Sequence, residues 1–218
     1  MTAIFEKELR SYFTGLSGYV FAAFLLLFAG IYTMAINLKS GYAEFEYVLQ
    51  NMSFIFLIAI PILTMRVVAE ERRQKTDQLL YALPVGMTRV VLGKYLAMLV
   101  IIALPTVVLG VYPLILSSYG SVSLPLAYGT LLAFFLLAAA LGAVGLFLSS
   151  LTESQAVAAG LCFAVMLLLY FLSDLADYVS ATAFASMIAF VVLLLLLAAV
   201  VRLLTGSAAA ALGFGVVG

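Results

Sequence analysis

Six uncharged, apolar stretches dominate the sequence, and each is close to the length of a membrane-crossing helix. They cover residues 18–36, 47–65, 95–116, 125–148, 154–172 and 184–201. An α-helix needs about 20 apolar residues to cross the hydrocarbon core of a bilayer. The strands of a membrane barrel need only about ten residues of alternating polarity, which these uncharged stretches do not fit. The sequence therefore predicts an all-α integral membrane protein with six transmembrane helices in one domain, residues 1–218.

The composition agrees with this prediction and excludes several functions. Hydrophobic residues make up 67% of the chain and charged residues 9%, whereas soluble domains contain roughly a quarter charged residues. The formal net charge is zero, which gives no support for a nucleic-acid partner. Histidine is absent, and the single cysteine, Cys162, can form no internal disulfide. We expect no catalytic residue, cofactor site or metal site in this chain.

Lys and Arg are distributed unevenly between the predicted loops. If the N-terminus is cytoplasmic, only Lys39 of the ten basic residues falls on the outside. The predicted outer loops contain acidic residues instead: Glu44, Glu46, Asp174 and Asp177. Because basic residues accumulate in cytoplasmic loops, we predict a multi-pass protein of the plasma membrane with its N-terminus in the cytoplasm.

The first 17 residues have an apolar and a polar face when they are arranged as a helix. The two faces contain Phe5, Leu9, Tyr12, Phe13 and Leu16 on one side, and Glu6, Lys7, Arg10 and Ser11 on the other. A helix divided in this way lies in the membrane interface. We predict an interfacial helix over residues 1–17; the alternative is an ordinary extension of the first span.

The only long polar region of the sequence lies between the second and third spans, at residues 66–85. Glu70 precedes Arg73 by three positions, and Glu71 precedes Lys75 by four. Acidic and basic residues at this spacing stabilise the surface of a helix. A second short helix with leucines on one face follows, and Pro84 ends it. Such a helix suits a groove on a soluble partner. The alternative is a solvated loop that only contributes to the charge asymmetry.

This polar region resembles the cytoplasmic loop of the ABC-2 type permeases, notably the gliding-motility and copper-processing type membrane subunits. The family pattern is two acidic residues, basic residues, a Thr, two leucines, and a Pro followed by an aliphatic residue. The matching residues here are Glu70, Glu71, Arg72, Arg73, Thr76, Leu79, Leu80, Pro84 and Val85. The resemblance extends to residues 6–10 and 145–155 and covers about residues 1–172. Lys75, Gln78 and the region past Asp174 depart from the family pattern.

The resemblance implies that residues 66–85 are a coupling region that docks on a separate ATPase. The docking residues would be Glu70, Glu71, Arg72, Arg73, Lys75, Thr76, Asp77, Leu79, Leu80, Leu83 and Pro84. Gly93-Lys94 is followed by Tyr95, so the chain lacks a phosphate-binding loop there, and ATP and Mg²⁺ would bind to the partner. The implied function is the permease subunit of an ATP-driven exporter, in which two copies, as a homo- or heterodimer, enclose the translocation path.

Two further sets of residues concern the packing of the spans. Prolines interrupt the second and third spans and either line a transport pathway or are tolerated kinks: Pro61, Pro105 and Pro113. Small residues form faces in the fourth and fifth spans, which predict close packing within the subunit or a dimer contact: Ala138, Gly142, Gly145, Ala156 and Gly160.

Two alternative functions and one question about the chain end stay open at this point. An ion-coupled secondary transporter or channel normally has ionisable residues at mid-membrane depth, and the six stretches contain none. A membrane scaffold that recruits a cytoplasmic enzyme would have the same docking loop but no path. The apolar run at residues 208–217 is expected to begin a further span in a longer natural protein.

Overall fold

The computed structural model describes residues 2–42, 44–65, 67, 86–152, 154–178 and 191. All regular secondary structure within these residues is helical, which confirms the all-α prediction. Three predicted features lie largely or wholly outside the described residues: the polar region at 66–85, the sixth apolar stretch at 184–201 and the run at 208–217.

The described residues form eight α-helices, with a π-helix and a 3₁₀ turn between some of them. In chain order these elements are α1 (Thr2–Thr14), α2 (Leu16–Thr33), the π-helix (Met34–Lys39), α3 (Glu46–Met52), the 3₁₀ turn (Ser53–Ile55), α4 (Phe56–Thr64), α5 (Met87–Leu109), α6 (Val111–Ser117), α7 (Leu124–Ser150) and α8 (Gln155–Tyr178). Gly15 separates α1 from α2 because its backbone is extended, with φ −86° and ψ 163°. The interfacial position of α1 stays a prediction.

Four helical segments of the described chain are long and apolar enough to cross a membrane. We number them spans one to four: Leu16–Lys39, Glu46–Thr64, Thr88–Ser117 and Leu124–Ser150. The longest uninterrupted helix, the 27 residues of α7, extends about 40 Å, more than the roughly 30 Å of a hydrocarbon core. A shorter apolar helix follows at Gln155–Phe171. Four of the six predicted spans therefore correspond to helices that could cross a membrane, and the number six is not confirmed.

The third span begins earlier than its hydropathy predicts. The predicted stretch starts at Tyr95 because Arg89 and Lys94 are charged, yet α5 begins at Met87 after an extended Gly86. Both charges therefore lie in the first turns of the helix. Lys94 is accommodated because it is paired inside the protein, as described below, while Arg89 is exposed.

The second span lies at the centre of the bundle. In its most apolar 18-residue window, 61% of the residues are buried, the largest share among the four spans. The first span has the smallest share, 22%. The Phe56 and Phe134 rings pack with centroids 4.5 Å apart, and the Phe45 and Tyr112 rings at 5.9 Å. The second and third spans run in opposite directions, because Val67 contacts Lys94 near one end and Phe45 contacts Tyr112 near the other. One end of the bundle therefore contains α1, the end of α4 and the start of α5 (the α1 end), and the other contains the π-helix and α6 (the far end).

The chain divides into two compact units, Met1–Met166 and Leu167–Gly218. The first unit contains the four spans and the beginning of α8. In the second unit, the rings of Tyr170 and Phe171 meet edge to face, with centroids 5.6 Å apart.

Candidate functional site

Helix α1 packs mainly against the beginning of α5. A glycine at the contact allows this approach, since a Cβ atom at Gly93 would lie 3.1 Å from Cγ2 of Ile4 and 3.6 Å from the backbone nitrogen of Phe5. Phe5 and Leu9 are partly buried and pack against the core. The apolar face that the sequence predicts for α1 is therefore directed at the protein at these positions.

Lys94 binds two segments that are distant in sequence. Its Nζ donates to Oε1 of Glu8 in α1 at 3.0 Å and to the carbonyl oxygen of Val67 at 2.9 Å. The Lys94 side chain is 4% exposed and that of Glu8 12%, so the ion pair is largely removed from solvent. The ammonium group thereby connects α1, the third span and the residue at position 67.

Within the predicted coupling region at 66–85, the structure describes one residue, Val67. It is buried, and its N–H donates to the carbonyl oxygen of Thr64, the last residue of α4, at 3.2 Å. Its own carbonyl accepts the hydrogen bond from Lys94. The loop that follows the second span therefore starts from a residue fixed on both sides.

The burial of this ion pair determines how it contributes to the fold. Desolvating two charges costs several kcal/mol per ion, and their attraction offsets this cost only when the geometry is good and the remaining hydrogen-bonding groups are satisfied. Here the second hydrogen bond, to Val67, adds a charge-assisted contact to the ammonium. Removal of Lys94 would leave the Glu8 carboxylate buried without its ammonium partner.

Tyr12 lies one turn after Glu8 on the same face of α1 and is buried. Its hydroxyl group has no hydrogen-bond partner among the described residues. Burial, and then the nearby Glu8 carboxylate, raise the pKa of Tyr12 well above its usual value. Both effects disfavour a negative charge at this position, so the tyrosine is neutral at physiological pH.

A second contact at the α1 end joins the second span, the fourth span and α8. Oγ1 of Thr64 donates to the carbonyl oxygen of Ile60 at 2.9 Å and lies 3.6 Å from Sγ of Cys162. A Cβ atom at Gly145 would lie 2.6 Å from the same Oγ1, and one at Gly142 would lie 2.6 Å from Cε of Met98. The prediction that small residues of the fourth span allow close packing within the subunit is confirmed.

The predicted small-residue face of the fifth span behaves differently. A Cβ atom at Gly160 would meet no atom of the described residues within 4 Å. Close packing at that glycine is therefore not observed within the described part of the chain. The neighbouring Cys162 is buried against Thr64, as a small packing residue would be.

The three prolines lie within helices that continue past them. Pro61 is inside α4, Pro105 inside α5 and Pro113 inside α6, and all three are buried. The irregular segments occur elsewhere, at the 3₁₀ turn Ser53–Ile55 and at Gly110 between α5 and α6. That these prolines line a transport pathway stays a prediction.

The predicted ATPase-docking residues lie outside the described residues. These are Glu70, Glu71, Arg72, Arg73, Lys75, Thr76, Asp77, Leu79, Leu80, Leu83 and Pro84. Their role as docking residues therefore stays a prediction. In the described ranges, no group of three or more His, Cys, Asp or Glu residues is placed to hold a metal ion.

Sequence reasoning missed Glu8 and Lys94 as a pair, although one signal was present. Glu8 follows Phe5 by three positions and precedes Tyr12 by four, which places its carboxylate on the apolar face of α1. A charge on an apolar face needs a buried partner. The partner itself, 86 residues later, could not be identified from helical spacing.

Comparison with known families identifies the family of the chain. A family model described as ABC-2 family transporter protein matches residues 2–187 of the 218. The chain belongs to this family. Comparison with curated proteins and with solved structures gave no match.

Membership of the ABC-2 family establishes a membrane-embedded permease subunit of an ABC-type transporter and implies association with an ABC ATPase. The gliding-motility and copper-processing subtype stays a prediction. The matched segment contains Glu8, Val67 and Lys94 as well as the whole polar region at 66–85. The candidate site therefore lies within the ABC-2 permease domain, at the start of its predicted coupling region.

Proposed function

We propose that this ABC-2 permease is the membrane subunit of an ATP-driven exporter in the plasma membrane, with its α1 end in the cytoplasm. Two copies, identical or related, enclose the translocation path, and an ABC ATPase binds each copy at residues 66–85. ATP and Mg²⁺ bind the ATPase, and the permease has no catalytic site of its own. The family match over residues 2–187 is the observation that carries this proposal.

The charge distribution supports the proposed orientation. Lys7, Arg10 and Arg89 are exposed in helices of the α1 end, whereas Lys39 is the basic residue that the π-helix contributes to the far end. Basic residues favour the cytoplasmic side of a membrane protein. The polar region at 66–85 connects α4 with α5, and the end of α4 and the start of α5 both lie at the α1 end.

The proposed docking surface combines apolar and charged residues of that region. Leu79 and Leu80 supply apolar contact, and burial of a Leu side chain contributes about 1.5–3 kcal/mol. Arg72, Arg73 and Lys75 orient the partner, since rim charges act mostly on association rate and salt dependence. This division predicts that leucine variants detach the ATPase, whereas loss of a single basic residue weakens assembly only mildly.

Co-purification of the ATPase with the permease tests the proposal. We expect the wild-type permease to retain a P-loop ATPase and Leu79→Asp to lose it, at equal membrane yield. Gln78→Asp is the matched control, because it belongs to the same short helix and helical spacing places it away from the leucine face. A wild-type permease without a bound P-loop ATPase would contradict the proposed function. Full retention by Leu79→Asp would show that this loop is not the docking element.

The described structure gives no support to the alternative of an ion-coupled transporter. Among the described residues, the buried charged side chains are Glu8 and Lys94, which pair with each other at the α1 end. Ion-coupled transporters place such groups along the pathway within the membrane. A bound ATPase without any nucleotide-dependent change in the spans would instead favour the scaffold alternative.

A further inference from the structure

The buried ammonium group of Lys94 has more contacts than pairing alone requires. One hydrogen bond, to Glu8, neutralises its charge. A second, to the carbonyl oxygen of Val67, holds the residue at the start of the loop. Replacing a buried ion pair by apolar residues of similar volume is often neutral or stabilising. Stability alone therefore does not explain why these charges occupy an apolar environment.

The mechanical consequence depends on how firmly α1 and α5 are joined. Their close packing at Gly93 and Ile4 and the ion pair one residue later make the start of the third span and α1 a single packed element. Val67 is bonded to this element through its carbonyl oxygen and to the end of α4 through its N–H. Displacement of Val67 would break a charge-assisted hydrogen bond in a site of low dielectric constant, which is costly.

We propose that Lys94 is a positioning residue that transmits movement of the coupling region to the third span, and that Glu8 holds its ammonium group against Val67. This inference rests on the proposed function, because it assumes that an ATPase moves residues 66–85. When the bound ATPase shifts the loop, the Val67 carbonyl pulls on Lys94, and the start of the third span moves with it. Without the ammonium group, the loop moves alone.

The test uses the permease–ATPase complex in nanodiscs and a reporter at the opposite end of the third span. Ser118, which is exposed immediately after α6, is replaced by Cys in a Cys162→Ala background and labelled with a maleimide. The labelling rate is compared without nucleotide and with ATP, Mg²⁺ and vanadate. We expect a change of about fivefold or more, as is typical of coupled sites.

The decisive variant is Glu8→Gln with Lys94→Met, which removes the link to Val67 together with both charges of the ion pair. We expect its ATPase content and ATP hydrolysis to match those of the wild type, while the nucleotide effect at position 118 falls below about twofold. Lys94→Arg, which keeps the charge and the donors, should restore the effect. A merely structural role would change yield or ATPase content and would leave the nucleotide effect intact.

Tyr95→Phe is the matched control. It removes a hydrogen bond of 3.1 Å from the next residue of α5 to the carbonyl oxygen of Ala139, a contact that does not involve the loop. The nucleotide effect should persist in this variant. A wild-type effect that survives in the double variant would overturn the role of Lys94 while leaving the proposed function intact. Absence of the ATPase from the wild-type preparation would overturn both.

Discussion

The two ends of the bundle are held by different kinds of contact. At the α1 end, Lys94 reaches Glu8 and Val67 across 86 and 27 residues of sequence through charge-assisted hydrogen bonds. At the far end, the Asn37 amide donates to backbone carbonyls only five and seven residues away, at 2.6 and 3.3 Å. The first contact is charged and joins distant segments, whereas the second is neutral and closes one turn.

This difference predicts how far a perturbation spreads from each end. Loss of one partner from a buried ion pair typically costs about 3–5 kcal/mol, whereas a neutral hydrogen bond contributes about 1 kcal/mol. The far end also contains oxygens without a hydrogen-bond partner among the described residues, Oδ1 of Asn37 and Oγ1 of Thr33. We expect the α1 end to respond as a unit and the far end to respond locally.

The sharpest difference between the ends is the side of the membrane on which each lies. Cysteines at Thr88 and Ser118 mark the two ends of the third span, and both positions are exposed. The native Cys162 is 1% exposed and gives little background. An impermeant maleimide applied to intact cells should label Ser118→Cys and leave Thr88→Cys unlabelled until the cells are permeabilised. Equal labelling of both in intact cells would contradict the proposed orientation.

Breaking the ion pair should cause the largest loss of stability. Lys94→Met leaves the Glu8 carboxylate buried without its ammonium partner, which should cost about 3 kcal/mol. The midpoint temperature of heat-induced aggregation, read by gel filtration of detergent-solubilised protein, measures the loss. The double variant Glu8→Gln, Lys94→Met should recover most of it. No recovery would mean that Lys94 acts through another contact.

Close packing at the α1 end gives the next largest effect. Gly145→Ala places a methyl group 2.6 Å from Oγ1 of Thr64, and overpacking of this kind costs about 1–3 kcal/mol. Gly160→Ala makes the same chemical change where no described atom lies within 4 Å, so it isolates the contact from helix propensity. The same aggregation assay should rank Gly145→Ala well below Gly160→Ala. Equal midpoints would contradict the packing at Thr64.

The sequence predicts the spans better than it predicts the site, for a physical reason. A backbone in lipid must satisfy its hydrogen bonds internally, so apolar length alone identifies helices such as α7. The start of the third span was misplaced because a charge at Lys94 is tolerated only through a partner 86 residues away. Small residues predict close approach, which within the described residues occurs at Gly145 and not at Gly160, since spacing does not reveal which helix faces them.

A smaller, local effect is expected at the far end. Asn37→Ala removes the amide that donates to Tyr42 and Glu44, at a cost of about 1–2 kcal/mol. Amide hydrogen exchange should become faster in the turn after the π-helix and stay unchanged in α1. Asn51→Ala is the control, because the Asn51 amide makes a similar bond to Tyr47 at an exposed position. Faster exchange in α1 would show that the two ends are not independent.

The smallest effect concerns Tyr12, and it has the opposite sign. Its buried hydroxyl group lacks a hydrogen-bond partner among the described residues, so Tyr12→Phe should raise the aggregation midpoint slightly, by an equivalent of up to about 1 kcal/mol. Burial and the Glu8 carboxylate raise the pKa of Tyr12 in the folded protein. The unfolded chain then loses this proton first, at about pH 10, so stability conferred by the protonated Tyr12 declines as the pH rises further.

The advantage of Tyr12→Phe over the wild type should therefore be constant below about pH 10 and widen above it. The comparison with the variant cancels the titration of the other Tyr and Lys residues, which both proteins share. Tyr128→Phe is the matched control, because the Tyr128 hydroxyl group is exposed and donates to the carbonyl oxygen of Gly110 at 3.1 Å. That variant should lose a little stability at neutral pH. A Tyr12→Phe variant that is less stable than the wild type would show that the hydroxyl group is bonded after all, which would assign a polar partner to the site beside Glu8.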